Sequence, residues 1–327
     1  MGSAHGDSYA EAIREYLDDR LATLGGGAWF GSEIEPTLAV EAAEASLTHH
    51  QQYSQSLFNE MESLATAAGI STAEAIVVGG FTDIVDIVRT RVGSAPILHE
   101  CTGILNPVSG SLAQTWDMNM SAGAFVIMLN IQPESGPRAL VQTTTGCLGQ
   151  IGINEAGIGV GINNLASRGR PGVTWPFVVR RVLEQTSLDS AVAVVLEARL
   201  SGGHNFLLIG PDGRCVNIEA MPNSHHMTSS SAAPLVHSNH CLAENTAREE
   251  APQPRDLVAD SHARLQVAAD QAADLDAFFG NPLIGRRASN PHDGATCGAV
   301  ILDTPKKRMR AVWGVPGSQE WEDFGFA

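Results

Sequence analysis

Lysine is almost missing from this chain. Its 327 residues hold Lys306 and Lys307 and no others, and the formal net charge is −16. Nucleic acids and anionic membranes are recognised by basic faces, so neither is expected as a partner. No run of about 18 apolar residues occurs, so no apolar membrane-spanning helix is expected. The opening stretch MGSAHGDSYAEAIREYLDD has no basic region followed by an apolar one, and no secretory signal is expected. Cys-x-x-Cys is absent, as is any Cys/His set at zinc-finger spacing; no metal and no cofactor are expected. Five cysteines, at 101, 147, 215, 241 and 297, are odd in number and widely spaced. Reduced thiols in a cytoplasm are the plain reading. Gly-x-Gly-x-x-Gly is missing too, and strands do not alternate with helices as in a Rossmann fold.

Hydrophobic residues make up 43% of the chain, enough for a large core. Charge is uneven. Residues 1–100 hold 15 of the 36 acidic and 4 of the 20 basic residues, so two parts with different jobs are expected. Apolar spacing predicts helices over 8–23 and 37–68, with Gly69 as a stop. Ser71 or Thr72 can cap a further helix through AEAIVVGGFTDIVDIVR. Near residue 95 the pattern changes to strand-like runs: 101–105, 124–131, 139–145 and 157–165. Two helices follow, one led by Pro176 and one capped by Ser187. Strands resume at 205–210 and 215–221 around a Pro-Asp-Gly turn. A helix at 255–270 and strands at 298–303 and 309–314 close the chain. The order implies an α+β fold of packed sheets with helices outside.

Four segments carry the chemistry: ECTGILNPVSGSLAQTWDMN (100–119), GINEAGIGVGINNL (152–165), HSNHCL (237–242) and DGATCGAVILD (293–303). Cys101 opens a strand at the shift from helical to strand-like sequence. Asp117 follows sixteen residues later, and a hairpin turning at PVSG would return it to Cys101. Together these segments resemble the acyl-coenzyme A:6-aminopenicillanate acyltransferase family, whose members are self-cleaving cysteine N-terminal-nucleophile hydrolases. MESLATAAGISTAEAIVVGG (61–80) resembles the family's helical segment upstream of the cleavage site.

The resemblance implies a four-layer αββα sandwich from residue 101 to 327, preceded by a helical pro-segment, 1–100, that stays bound after cleavage. It implies cleavage between Glu100 and Cys101, which frees the Cys101 α-amine as general base for its own thiol. An α-amine titrates at about 7.7–8.0 and a thiol near 8.5, so the pair is matched for proton exchange without a histidine. Asp117 is then the carboxylate that holds the α-ammonium, and Asn239 the donor to the oxyanion. Asn163, Asn164 and Gln114 are the expected substrate-binding residues.

The sequence departs from the family at two places. Glu100 stands before the nucleophile where the best-known member has Gly. Asp293 stands before GAT where that enzyme has Arg, which argues against an anionic substrate. An amidohydrolase acting on a small acyl-amide, an amine or amino-acid conjugate, is the expected function. Alternatives are acyl transfer from an acyl-CoA, a Cys–His protease using His237 or His240, and a non-enzymatic binding module. Cys147 is the rival nucleophile, placed by its pattern in mid-sheet. The sequence names neither the substrate nor the oligomeric state.

Overall fold

A computed structural model describes residues 1–26, 33–93 and 101–326 of the chain; Glu100 lies outside them. Its first part is helical: α1 (Gly2–Gly25), α2 (Thr37–Glu44), α3 (Leu47–Tyr53), α4 (Gln55–Ala68), α5 (Thr72–Gly79) and α6 (Phe81–Val92). The helix expected over 37–68 is three helices. Ser54 leaves helical geometry (φ −155°, ψ 102°) and its hydroxyl caps α4 by accepting from Leu57 N–H. Gly69 ends α4 in the left-handed region at φ 74°, and Ser71 and Glu74 form a capping box on α5. The next expected helix breaks at Gly80. There the chain passes so close to Thr174 that a Cβ would sit 2.7 Å from its side chain.

Two antiparallel sheets follow. The first contains β1 (Gly103–Asn106), β2 (Ser111–Asn119), β10 (Leu235–His237), β11 (Gly294–Asp303), β12 (Arg308–Trp313) and β13 (Glu322–Gly325), in the order β10-β1-β2-β11-β12-β13. The second is a meander of β3 (Val126–Ile131), β4 (Ala139–Thr144), β5 (Ile151–Asn154), β6 (Gly159–Leu165), β7 (Gly203–Ile209), β8 (Cys215–Ala220) and β9 (His225–Ser230). Gly213, at φ 78°, serves the expected turn between β7 and β8. The sheets bury Leu105, Leu112, Val300 and Leu302 against Ile153, Leu207 and Ile209. Helices α7 (Trp175–Leu183) and α8 (Leu188–Glu197) cover the outer face of the second sheet. Past a short α9 (Glu244–Ala247), α10 (Arg255–Asp270) and α11 (Leu275–Gly280) cover the first sheet over Ile104, Ala113, Ala299 and Val312. The layers therefore run helix, sheet, sheet, helix, as expected.

The N-terminal helices are built into this sandwich. Tyr16, Ile76, Phe81, Ile84 and Val88 share one core with Cys101, Trp116, Met118, Ala122 and Val126. Among the described residues, no single helix is long and apolar enough to cross a membrane.

Candidate active site

Cys101 immediately precedes β1, and the β1–β2 hairpin sets its neighbours. Gly103 pairs with Gln114, and the Thr115 N–H donates to Thr102 O at 3.1 Å. This register brings the Cys101 thiol to Asp117: Sγ accepts from Asp117 N–H at 3.4 Å and lies 3.9 Å from Asp117 O. Burial, and then the Asp117 carboxylate, push the thiol up to about 12. In this state it is a poor nucleophile.

Asp117 is itself buried, at 2% exposure; no donor meets either carboxylate oxygen at full hydrogen-bonding geometry, and the nearby Thr296 and Thr115 hydroxyls only partly offset its burial. Thr296, opposite it on β11, donates its hydroxyl to Ile284 O at 3.1 Å. Burial raises the Asp117 carboxyl to about 6, against the opposing pull of the Arg264 guanidinium. An unpartnered buried carboxylate costs several kcal/mol unless a cation or donor meets it.

The Cys101 carbonyl is held from two sides. Asn163, on β6, donates Nδ2–H to it at 3.0 Å, and its Oδ1 accepts from Asn205 Nδ2–H at 3.2 Å. Arg264, on α10, donates from Nη1 to the same carbonyl at 3.1 Å and to Thr102 Oγ1 at 2.7 Å. Its Nη2 donates to Asn239 Oδ1 at 3.2 Å, and its Nε to Asp260 at 2.8 Å. One planar guanidinium thus fixes Cys101 and Asn239 together. Asn239 Nδ2–H donates to Asn164 O at 2.9 Å, which joins these two candidates as well.

Gln114 is a different case. Its Nε2–H donates to Ile162 O, and its Oε1 accepts from Ile162 N–H at 3.0 Å. Both ends of the amide are used to tie β2 to β6. Gln114 thus acts as a clamp between the two sheets.

Cys147 lies in the turn after β4, not in mid-sheet. Its thiol points at the carbonyls of Gly79 and Gly149, both at 3.8 Å. His237 is held by Glu219 at 3.0 Å, and His240 by Ser261 at 2.8 Å. Among the described residues no imidazole bonds to the Cys101 sulfur, and no three His, Cys, Asp or Glu side chains gather as a metal site.

Arg264 escaped the sequence reading. Its signal was available: Ser261, Arg264 and Ala268 are the buried stripe of α10, at the i, i+3, i+7 spacing of an inward face. Asp293 is exposed. The cations that act on Asp117 come instead from Arg264 and, more weakly, Arg286.

Comparison with known proteins gives this geometry a context. A curated relative, the 40 kDa form of acyl-coenzyme A:6-aminopenicillanic-acid-acyltransferase of Emericella nidulans, is 26% identical over 203 residues, covering 60% of this chain and 56% of its own length. The chain therefore aligns with little more than half of that relative. Among solved structures, a variant of conjugated bile acid hydrolase from Clostridium perfringens covers 69% of this chain and 97% of its own at 12% identity and TM-score 0.45. Penicillin V acylase from Agrobacterium tumefaciens covers 65% and 82% at 10% identity and TM-score 0.39. Scores this low carry no weight, and the fold above rests on its own strand pairing. A family profile, acyl-coenzyme A:6-aminopenicillanic acid acyl-transferase, matches residues 109–278. That span takes in Gln114, Asp117, Asn163, Asn164, Asn239 and Arg264, and begins after Cys101. With more than half its length matched, the chain belongs to the acyl-coenzyme A:6-aminopenicillanic acid acyl-transferase family.

Proposed function

We propose that the chain is a self-processing cysteine amidohydrolase whose nucleophile is Cys101. In the precursor, Cys101 Sγ attacks the Glu100 carbonyl carbon. The Glu100–Cys101 amide bond breaks, and its nitrogen takes up the proton and becomes the Cys101 α-amine. Water then hydrolyses the thioester, leaving residues 1–100 as a separate, still-bound chain with a new carboxylate at Glu100 and restoring the Cys101 thiol.

In the processed enzyme the α-amine accepts the thiol proton, and the thiolate adds to the substrate amide carbonyl. The resulting oxyanion falls to Asn239 Nδ2–H. Collapse expels the amine, which takes its proton from the α-ammonium. Water, deprotonated by the α-amine, releases the acid and restores the thiol.

Asp117 gives this reading most of its support. Its carboxylate is buried beside Cys101 with no cation in direct contact with either oxygen, where the nearby α-ammonium would supply one. Asn163 and Arg264 support it further by holding the Cys101 carbonyl, which fixes the residue whose amine and thiol must meet.

Acyl transfer from an acyl-CoA is the second reading, favoured by the family's name. A chain at −16 with two lysines is a poor host for the coenzyme's phosphates, so hydrolysis is preferred. The test is a screen of N-acyl amides on the processed protein, following release of acid and amine, with Cys101→Ala as control. Paired release in wild type and none in Cys101→Ala supports hydrolysis. Turnover that requires acyl-CoA and an acceptor amine supports transfer, and equal turnover in both proteins contradicts both.

A further inference from the structure

A buried carboxylate is costly unless donors meet it, and Glu219, on β8 and 1% exposed, is met by four. Its Oε1 accepts from His237 Nε2–H at 3.0 Å and from Leu242 N–H at 2.5 Å. Its Oε2 accepts from Ala243 N–H at 3.3 Å and from the Thr246 hydroxyl. Burial pushes the carboxyl up, but His237, Thr246 and Leu242 outweigh it and hold the group at about 2. Glu219 is therefore ionised at neutral pH.

All of these donors belong to one short stretch of chain. It leaves β10 at His237, carries Asn239, and enters α9 at Glu244. Glu219 thus grips one end of the loop at His237 and the other at Leu242 and Ala243, with Asn239 between them. On the opposite side, α10 holds the same loop. Ser238 Oγ–H donates to Ser261 O at 2.9 Å, and Asn239 N–H donates to Ser261 Oγ at 3.0 Å. None of the Glu219 bonds reaches Cys101 or Asn239 itself.

We propose that Glu219 is a positioning residue for the reaction at Cys101: by fixing both ends of the 237–243 loop it aims the Asn239 Nδ2–H at the oxyanion. The role rests on the amidohydrolase reading and deepens it. A donor to an oxyanion must be in place before the charge forms, so the loop that carries it must not yield. A carboxylate can hold such a loop because both of its oxygens accept. An amide of the same shape would turn an N–H2 group toward one pair of donors and release that end.

The experiment measures kcat and KM for processed wild type, Glu219→Gln, Asn239→Ala and the double variant, on the N-acyl anilide that wild type hydrolyses fastest. Glu219→Gln should lower kcat by about ten- to hundredfold, the range for a displaced catalytic group, with KM within about twofold of wild type. In the Asn239→Ala background the same change should cost less than about threefold, because the donor it positions is gone. Glu244→Gln, at an exposed carboxylate beside the loop, should leave kcat in place. If Glu219→Gln fails to process, Glu219→Asp decides by the same comparison, because it keeps the charge and draws the oxygens back from the loop. An unchanged kcat, or an equal loss in both backgrounds, overturns this role alone and leaves Glu219 serving only the fold. Full activity in Asn239→Ala overturns it as well. No turnover of any N-acyl anilide by processed wild type overturns the amidohydrolase reading and this role with it.

Discussion

Asp117 shows what a single residue contributes. A buried carboxylate met by no donor at full hydrogen-bonding geometry destabilises the fold that contains it. Its carboxyl is raised from 3.8 to about 6, so the folded state favours the protonated form. The sign follows directly: the penalty is absent below about pH 4, grows as pH rises to about 6, and is complete above that. In a Cys101→Ala background, Asp117→Asn should therefore stabilise the chain at pH 7 by roughly 3 kcal/mol, and by little at pH 4. Urea unfolding at the two pH values measures this; a destabilised Asp117→Asn at pH 7 would contradict it. The position of Asp117 was legible in sequence, because hairpin geometry returns residue 117 to residue 101. The poor match of donors to its oxygens was not legible, because it depends on where the Thr296 hydroxyl and the Arg264 guanidinium point.

Among the elements, α6 is the most informative. Every residue from Phe81 to Arg89 is buried, so the helix is covered on all sides, with two acids inside. Asp83 accepts from His204 at 2.8 Å and from Trp175 N–H at 2.9 Å. Asp86 accepts from Ser167 N–H at 3.0 Å and from its hydroxyl at 2.6 Å. These bonds join the N-terminal segment to β7, α7 and the loop after β6. These partners were not legible in sequence, because they depend on where His204, Trp175 and Ser167 fold against α6. Breaking one buried pair costs about 3–5 kcal/mol. After processing, Asp83→Ala should release the 1–100 fragment at a clearly lower urea concentration than wild type, read by size-exclusion chromatography. Co-elution to the same concentration would show that apolar packing alone holds it. Strands without alternation were the ones missed: β9, His225–Ser230, is exposed along nearly its whole length and has no inward stripe to read.

Across the whole molecule, the division seen in charge recurs in structure. Helices occupy the acidic first part, and the first strand begins two residues after Cys101. The layer order followed from the family resemblance, whereas the sheet pairing and the closing of one sandwich end by α1, α2, α5 and α6 emerge only in three dimensions. That arrangement keeps Cys101 at the junction between the parts, with Arg264 holding its carbonyl. The account depends on the chain being cut there. Intact-mass spectrometry of freshly purified wild type and Cys101→Ala tests this most directly. Wild type should resolve into residues 1–100 and 101–327, with Cys101→Ala remaining one chain; a wild type that stays whole and still turns over an acyl-amide would contradict the account.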